Sequence, residues 1–199
     1  MDQATVRDVT HLLARLEGLA EGAAEGGAPD SMVVYLRTIG RRVRAVHDHL
    51  MPTAAIEAPP NAETTPPLDA AEAVTAFIAL VDAAEEAGLH LTLVDLLRNA
   101  GHRLANIQRG VPDYRLARRQ PEEGEARLEH GDASHRVWVA ESSSLGLGVE
   151  IHTPLPPDQV VQLVVTEAFG GTTYECLTTH AQSKGDVYHL GLEIFSVRI

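Results

Sequence analysis

Cysteine is nearly absent from this chain: Cys176 stands alone among 199 residues. One thiol forms no disulfide within the chain, excludes a cysteine-rich zinc module and suits a reducing compartment. Long apolar runs are missing too. No stretch approaches the roughly 20 residues that a membrane-crossing helix needs. The N-terminus has neither the basic start nor the continuous apolar segment of a signal peptide, so a cytoplasmic protein is expected. Positive charge is also scarce, with 16 Lys and Arg against 28 Asp and Glu and a net charge of −12. Such a balance repels polyanions and argues against a general DNA, RNA or anionic-membrane binder. A P-loop, a dinucleotide-binding glycine fingerprint and a Gly-x-Ser-x-Gly elbow are all lacking, so the chain reads as no enzyme and as needing no cofactor.

What is present is an ordinary globular composition, 44% hydrophobic and 22% charged. Enough apolar material exists for one large core or two small ones. From Thr5 to Ala20, the residues Val6, Val9, Leu13, Leu16 and Ala20 recur every three or four positions and share one helix face. The glycines and Pro29 of GLAEGAAEGGAPD should end this helix, with Asp30 or Ser31 capping the next. A second helix, about Met32 to Leu50, turns Met32, Leu36, Ile39, Val43 and Val46 inward and sets Arg37, Arg41, Arg42 and Arg44 largely outward. Pro52 stops it, and the proline-rich stretch over 51–67 reads as a mostly extended linker.

A third helix starts at Leu68, carries the stripe Val74, Phe77, Ile78 and Val81, and stops at Gly88. A fourth begins near Thr92 with Leu93, Leu97, Ala100, Leu104 and Ile107 on one face, closed by Gly110 and Pro112. Four amphipathic helices point to a bundle whose apolar faces also offer a surface to a second copy or a partner protein.

From about Glu125 the pattern changes. HRVWVAE, GLGVEIH, DQVVQLVVTE, TTYECLTTH and DVYHLGLEIF alternate or cluster β-branched, aromatic and aliphatic residues between Gly, Pro and Ser breaks. With no helix-length segment between them, an antiparallel meander closing into a small barrel is favoured over a parallel α/β sheet. The expected architecture is therefore α+β in two parts, a helical domain over 1–110 and a barrel over 111–199.

The joint between the halves reverses the sign of the chain. Residues 103 to 119 hold Arg103, Arg109, Arg115, Arg118 and Arg119 against Asp113 alone, a local charge of +4 without a lysine. Guanidinium forks bind phosphate bidentately and lie flat on aromatic rings, so the cluster suits a phosphorylated purine. Beyond it, Glu141, Ser142, Ser143, Ser144, Leu145 and Gly146 form a short polar turn. Hydroxyls that donate and accept, a carboxylate that accepts from amide-like N–H groups, and a glycine that permits close approach or positive φ can together read a guanine edge.

Arg115-xxx-Arg119, a spacer, and then Glu141-x-Ser143-x-x-Gly146 resembles the PilZ family, whose pattern is RxxxR followed by (Asp/Asn)-x-Ser-x-x-Gly. Tyr188-His-Leu-Gly191-Leu-Glu-Ile-Phe195 is similar to that family's closing strand, and the likeness covers roughly Tyr114 to Ile199. The resemblance implies a PilZ-like β-barrel in a bacterial signalling protein that binds cyclic di-GMP. Arg115 and Arg119 would clamp phosphates and stack on guanine, with Arg118 assisting, and Glu141, Ser143 and Gly146 would hold the base. Glu141 departs from the family's Asp or Asn by one carbon of reach, which also implies a second reading: a degenerate interaction or scaffold module without nucleotide binding. The helical half matches no partner domain of that family.

Plainer explanations stand beside these. The arginines can form a solvated strip paired with Glu122, Glu123 and Glu125, and Ser and Gly are favoured in strand connections for local reasons. His47 and His49 lie two apart on a helix and so do not face one metal ion. Trp138 and Phe195 read as core.

Overall fold

A computed structural model describes residues 3–52, 65–111, 120–165 and 171–198. The chain divides into two compact units, Met1–Leu116 and Ala117–Ile199. In the first unit, α1 (Gln3–Glu25), α2 (Asp30–Leu50), α3 (Ala70–Glu86) and α4 (Leu91–Gln108) pack as a ring in which α1 and α4 each touch both α2 and α3. The expected stripes face its core. Val9, Leu16 and Ala20 of α1, Met32, Leu36, Ile39, Val43 and Val46 of α2, and Leu93, Leu97 and Leu104 of α4 are almost wholly buried. Each such aliphatic side chain withdrawn from water contributes about 1.5–3 kcal/mol before entropy is counted.

The glycines do end α1, which runs past Gly22 to Glu25 and stops at Gly26 and Gly27, the latter at φ +79°. Gly22 instead admits the chain that returns toward α3: a Cβ there would lie 2.7 Å from the Pro66 carbonyl, and Leu68 N donates to the Gly22 carbonyl at 2.8 Å. Three local expectations are corrected. At α2, Asp30 is already helical, and Pro29 occupies the cap position without a side-chain hydrogen bond. Arg42 is buried rather than outward, because it sits beside Val43 on the inward flank of the helix. On α3 the buried residue is Leu80, while Ile78 is half exposed, the stripe running 73, 74, 77, 80, 81. Gly88, at φ +78°, does end α3 as expected. Most of the proline-rich linker lies outside the described residues.

A stronger start signal sits at α3. The Asp69 carboxylate accepts from Ala71 N and Glu72 N at 2.8 and 2.9 Å, and Glu72 Oε2 accepts from Asp69 N at 2.9 Å. This reciprocal capping box satisfies donors that the first helical turn leaves unpaired.

The second unit is a closed antiparallel barrel of six strands: β1 (Gln120–His130), β2 (Ala133–Ser143), β3 (Gly146–Ile151), β4 (Val160–Val165), β5 (Thr173–Lys184) and β6 (Val187–Arg198). Their order around the barrel is β1-β2-β3-β6-β5-β4, with β4 pairing back on β1. Closure leaves no free sheet edge. Val137, Val139, Leu147, Val149, Ile151, Leu163, Leu190 and Leu192 fill the interior at alternate positions. The five apolar segments expected as strands correspond to β2 through β6. Among the described side chains of the strand that closes the barrel, β1, Ala126 and Leu128 face inward, between outward Glu125, Arg127 and Glu129.

One buried hydroxyl fastens the connection from β3 to β4. Thr178 Oγ1 donates to the Pro156 carbonyl at 2.6 Å and accepts from Gln159 N at 2.9 Å. Backbone bonds from Asp158 N to the Thr178 carbonyl and from Thr178 N to the Gln159 carbonyl complete the clasp.

Candidate functional site

Strand alternation alone would put Glu141 on the same side as Val137 and Val139, inside the barrel. The register prevents this. Val139 pairs with Val149 and Glu141 with Gly148, so Ala140 is an extra residue in β2. A bulge of this kind turns everything after it over. Glu141 therefore faces outward, where a carboxylate keeps contact with water, and Ser143 opposite Gly146 faces outward with it.

Glu141 lies across the bare backbone of Gly148. A Cβ on that glycine would fall 2.5 Å from Glu141 Cγ and 2.8 Å from His189 Cε1. Glu141 Oε1 in turn stands 3.4 Å from His189 Nε2, with both side chains about a quarter exposed. The pattern repeats one strand further on: a Cβ on Gly191 would meet His180 Cε1 at 2.3 Å, and the His180 and His189 rings lie 6.3 Å apart. Two glycines thus form a shallow trough across β3 and β6, and a carboxylate and two imidazoles lie over it. Sequence reading did not single out His180, His189 or Gly148. The signal for them was the pairing of Gly148 with Gly191 across β3 and β6, which a single sequence does not display.

The polar turn is shorter than expected. Glu141 to Ser143 belong to β2, and only Ser144 and Leu145 form the connection. Ser143 Oγ donates to the Gly146 carbonyl at 3.1 Å and accepts from Leu145 N at 3.4 Å, so its hydroxyl braces its own hairpin. Gly146 is buried in extended backbone and needs no positive φ.

Trp138 is corrected outright. With Val137 and Val139 inside, its ring must point out, and it is 45% exposed. It pairs with Glu150, whose β6 partner is His189, so the indole stands one outward row from Glu141 on the same wall. Phe195 is half-buried at a second irregularity, where Ser196 pairs with Glu175 and Ile194 with Cys176. Ile194 rather than Phe195 packs against the interior.

Of the arginine cluster, Arg115, Arg118 and Arg119 lie outside the described residues. Arg109 folds back on the end of α4, its Nε donating to the Ala105 carbonyl at 3.1 Å and its Nη2 to Asn106 Oδ1 at 2.6 Å. That guanidinium caps a helix. Gln120, the residue after Arg119 in sequence, is the β1 partner of Ser142.

No protein-family model matches the chain, and no curated protein matches it.

A carboxylate, two imidazoles, an indole face and a glycine trough offer hydrogen bonds and a stacking surface. Among the described residues no group of three His, Cys, Asp or Glu side chains is placed to hold a metal ion. Cys176 is buried in the interior, and burial, with the Glu175 carboxylate adding to it, pushes its thiol far above the ordinary range. Among the described residues, no helix is long and apolar enough to cross a membrane.

Proposed function

We propose that the barrel is a PilZ-like receptor for cyclic di-GMP and that the helical unit carries its signal to a protein partner. The observation that carries this reading is the pairing of Gln120 with Ser142. It brings the chain that follows Arg119 directly into the strand end holding Glu141 and Ser143. A site needing phosphate-binding arginines on one segment and guanine-reading groups on another requires such an approach. Glu141 on the outer wall supplies an acceptor, and Arg115, Arg118 and Arg119 supply the cationic forks.

Calorimetry at physiological salt tests it. Cyclic di-GMP should give saturable heat with the intact chain, and Arg115→Ala or Arg119→Ala should weaken binding about tenfold or more, as the loss of a charged hydrogen bond of roughly 1.5–3 kcal/mol requires. Absence of heat with the intact chain sinks the proposal.

A second reading has its own support. The Glu141 carboxylate already faces His189, and the Ser143 hydroxyl bonds within its own turn. Both groups are thereby engaged without a ligand, as in a PilZ-like scaffold that has lost nucleotide binding. Glu141→Asp separates the two: binding gained by a silent parent identifies a degenerate site, whereas a parent that already binds identifies a receptor.

A further inference from the structure

Trp138 is the single tryptophan of the chain, and its ring stands 45% exposed on the outer wall of the barrel. Its place in the register sets it beside the candidate site. Trp138 pairs with Glu150 and Glu141 with Gly148, so the two residues occupy successive outward rows of β2. Two residues of β3 separate those rows, about 7 Å at the ordinary strand rise of about 3.3 Å per residue. Stacked aromatic rings have their centres about 4.5–7 Å apart. A purine whose polar edge meets the Glu141 carboxylate therefore has its rings within reach of the indole. The cross-strand partners of Trp138 are both acidic, Glu125 on β1 and Glu150 on β3, and bare carboxylates there would repel a phosphorylated ligand. Each has a cation instead: Arg136 pairs with Glu125, and Lys184 Nζ donates to Glu150 Oε1 at 2.6 Å. The row continues to His189 on β6 and Gln182 on β5, neither of them an acid. In a chain of net charge −12, the indole thus sits in a charge-balanced strip next to Glu141.

We propose that Trp138 is a binding residue of the nucleotide site, its indole stacking on one base of the ligand. The inference rests on the reading of the barrel as a cyclic di-GMP receptor. Hydrogen bonds read the edge of a base, whereas stacking grips its face, which every base presents. An acceptor and an indole in successive rows of one strand divide these tasks: Glu141 discriminates between bases, and Trp138 adds affinity without discriminating. Because the ring lies outside the barrel interior, replacing it separates binding from folding.

The single indole makes the test direct, since all tryptophan emission of the full chain comes from Trp138. Cyclic di-GMP should quench that emission saturably, with the midpoint seen in calorimetry. This titration needs no variant. Trp138→Leu keeps apolar bulk but has no aromatic face, and it should bind about tenfold more weakly with its circular dichroism unchanged. Trp138→Phe should recover most of the lost affinity. If the intact chain gives heat and Trp138→Leu binds as tightly, the stacking role is overturned and the receptor reading stands. Heat from the intact chain with no change in indole emission has the same consequence. No heat from the intact chain removes the receptor reading, and the stacking role falls with it.

Discussion

Nε2 of His189 on β6 stands 3.4 Å from Oε1 of Glu141 on β2, the two side chains meeting over Gly148, the β3 partner of Glu141, one row from Glu150, the β3 partner of His189. A carboxylate one carbon shorter would not cross Gly148 to the same imidazole. The extra reach of glutamate over aspartate thus has a structural use whether or not a nucleotide binds. If His189 holds Glu141 in place for a ligand, His189→Ala should weaken cyclic di-GMP binding severalfold by freeing the rotamers of Glu141. If the two side chains compete with the ligand instead, the same change should strengthen binding. Calorimetry of the single variant gives the sign.

Gly148→Ala should disturb this pair without touching the barrel interior. Its methyl group would collide with Glu141 Cγ and His189 Cε1, both of which belong to movable side chains. A loss of about 1 kcal/mol or more in unfolding free energy is expected, with a displaced His189 imidazole signal in NMR spectra. An unchanged imidazole signal would show that the two side chains do not lie over the glycine.

Thr178→Val keeps the volume at a fully buried position and removes the hydroxyl that joins Pro156 to Gln159. It leaves the part-buried Pro156 carbonyl and Gln159 amide without their partner. Unfolding by denaturant should show a loss of about 2–3 kcal/mol, with the segment before β4 losing hydrogen-exchange protection ahead of the strands.

The buried Cys176 thiol should resist a soluble disulfide reagent in the native protein and react once the barrel unfolds. Because the folded thiol holds its proton more tightly than the unfolded one, this contribution is complete below about pH 8.5, the ordinary thiol value, and is lost as the pH rises beyond it. Denaturation midpoints should therefore fall more steeply with pH in that alkaline range for the intact chain than for Cys176→Ala.

Asp69→Ala should cost about 1 kcal/mol or slightly more, since it strips two amide partners from the start of α3 and leaves Glu72 with no reciprocal cap. Asp69→Asn should retain most of that stability, because an amide oxygen still accepts. Thermal unfolding of the two variants side by side distinguishes capping from a simple charge effect.

The four helices and five of the six strands were legible from the residues because each buries one face, and burial imposes a period of 3.6 or 2 on the apolar positions. Leu13, Leu36 and Leu97, or Leu147 and Val149, announce their elements in this way. The first strand, QPEEGEARLEH, was not legible, since its sequence is mostly charged and small, while neighbours on both sides supply its hydrogen bonds.

By itself the sequence determined the two-part α+β organisation, the acidic surface with its arginine reversal, and the segments that carry candidate binding residues. Only the tertiary structure decided which way those residues face. The bulge at Ala140 puts Glu141 outside, the register of β1 brings Gln120 to Ser142, and two glycines on different strands make room for His189 and His180. The physical reason is the same in each case. Which face a strand residue presents depends on hydrogen bonds to strands distant in sequence, and one residue of slip reverses it.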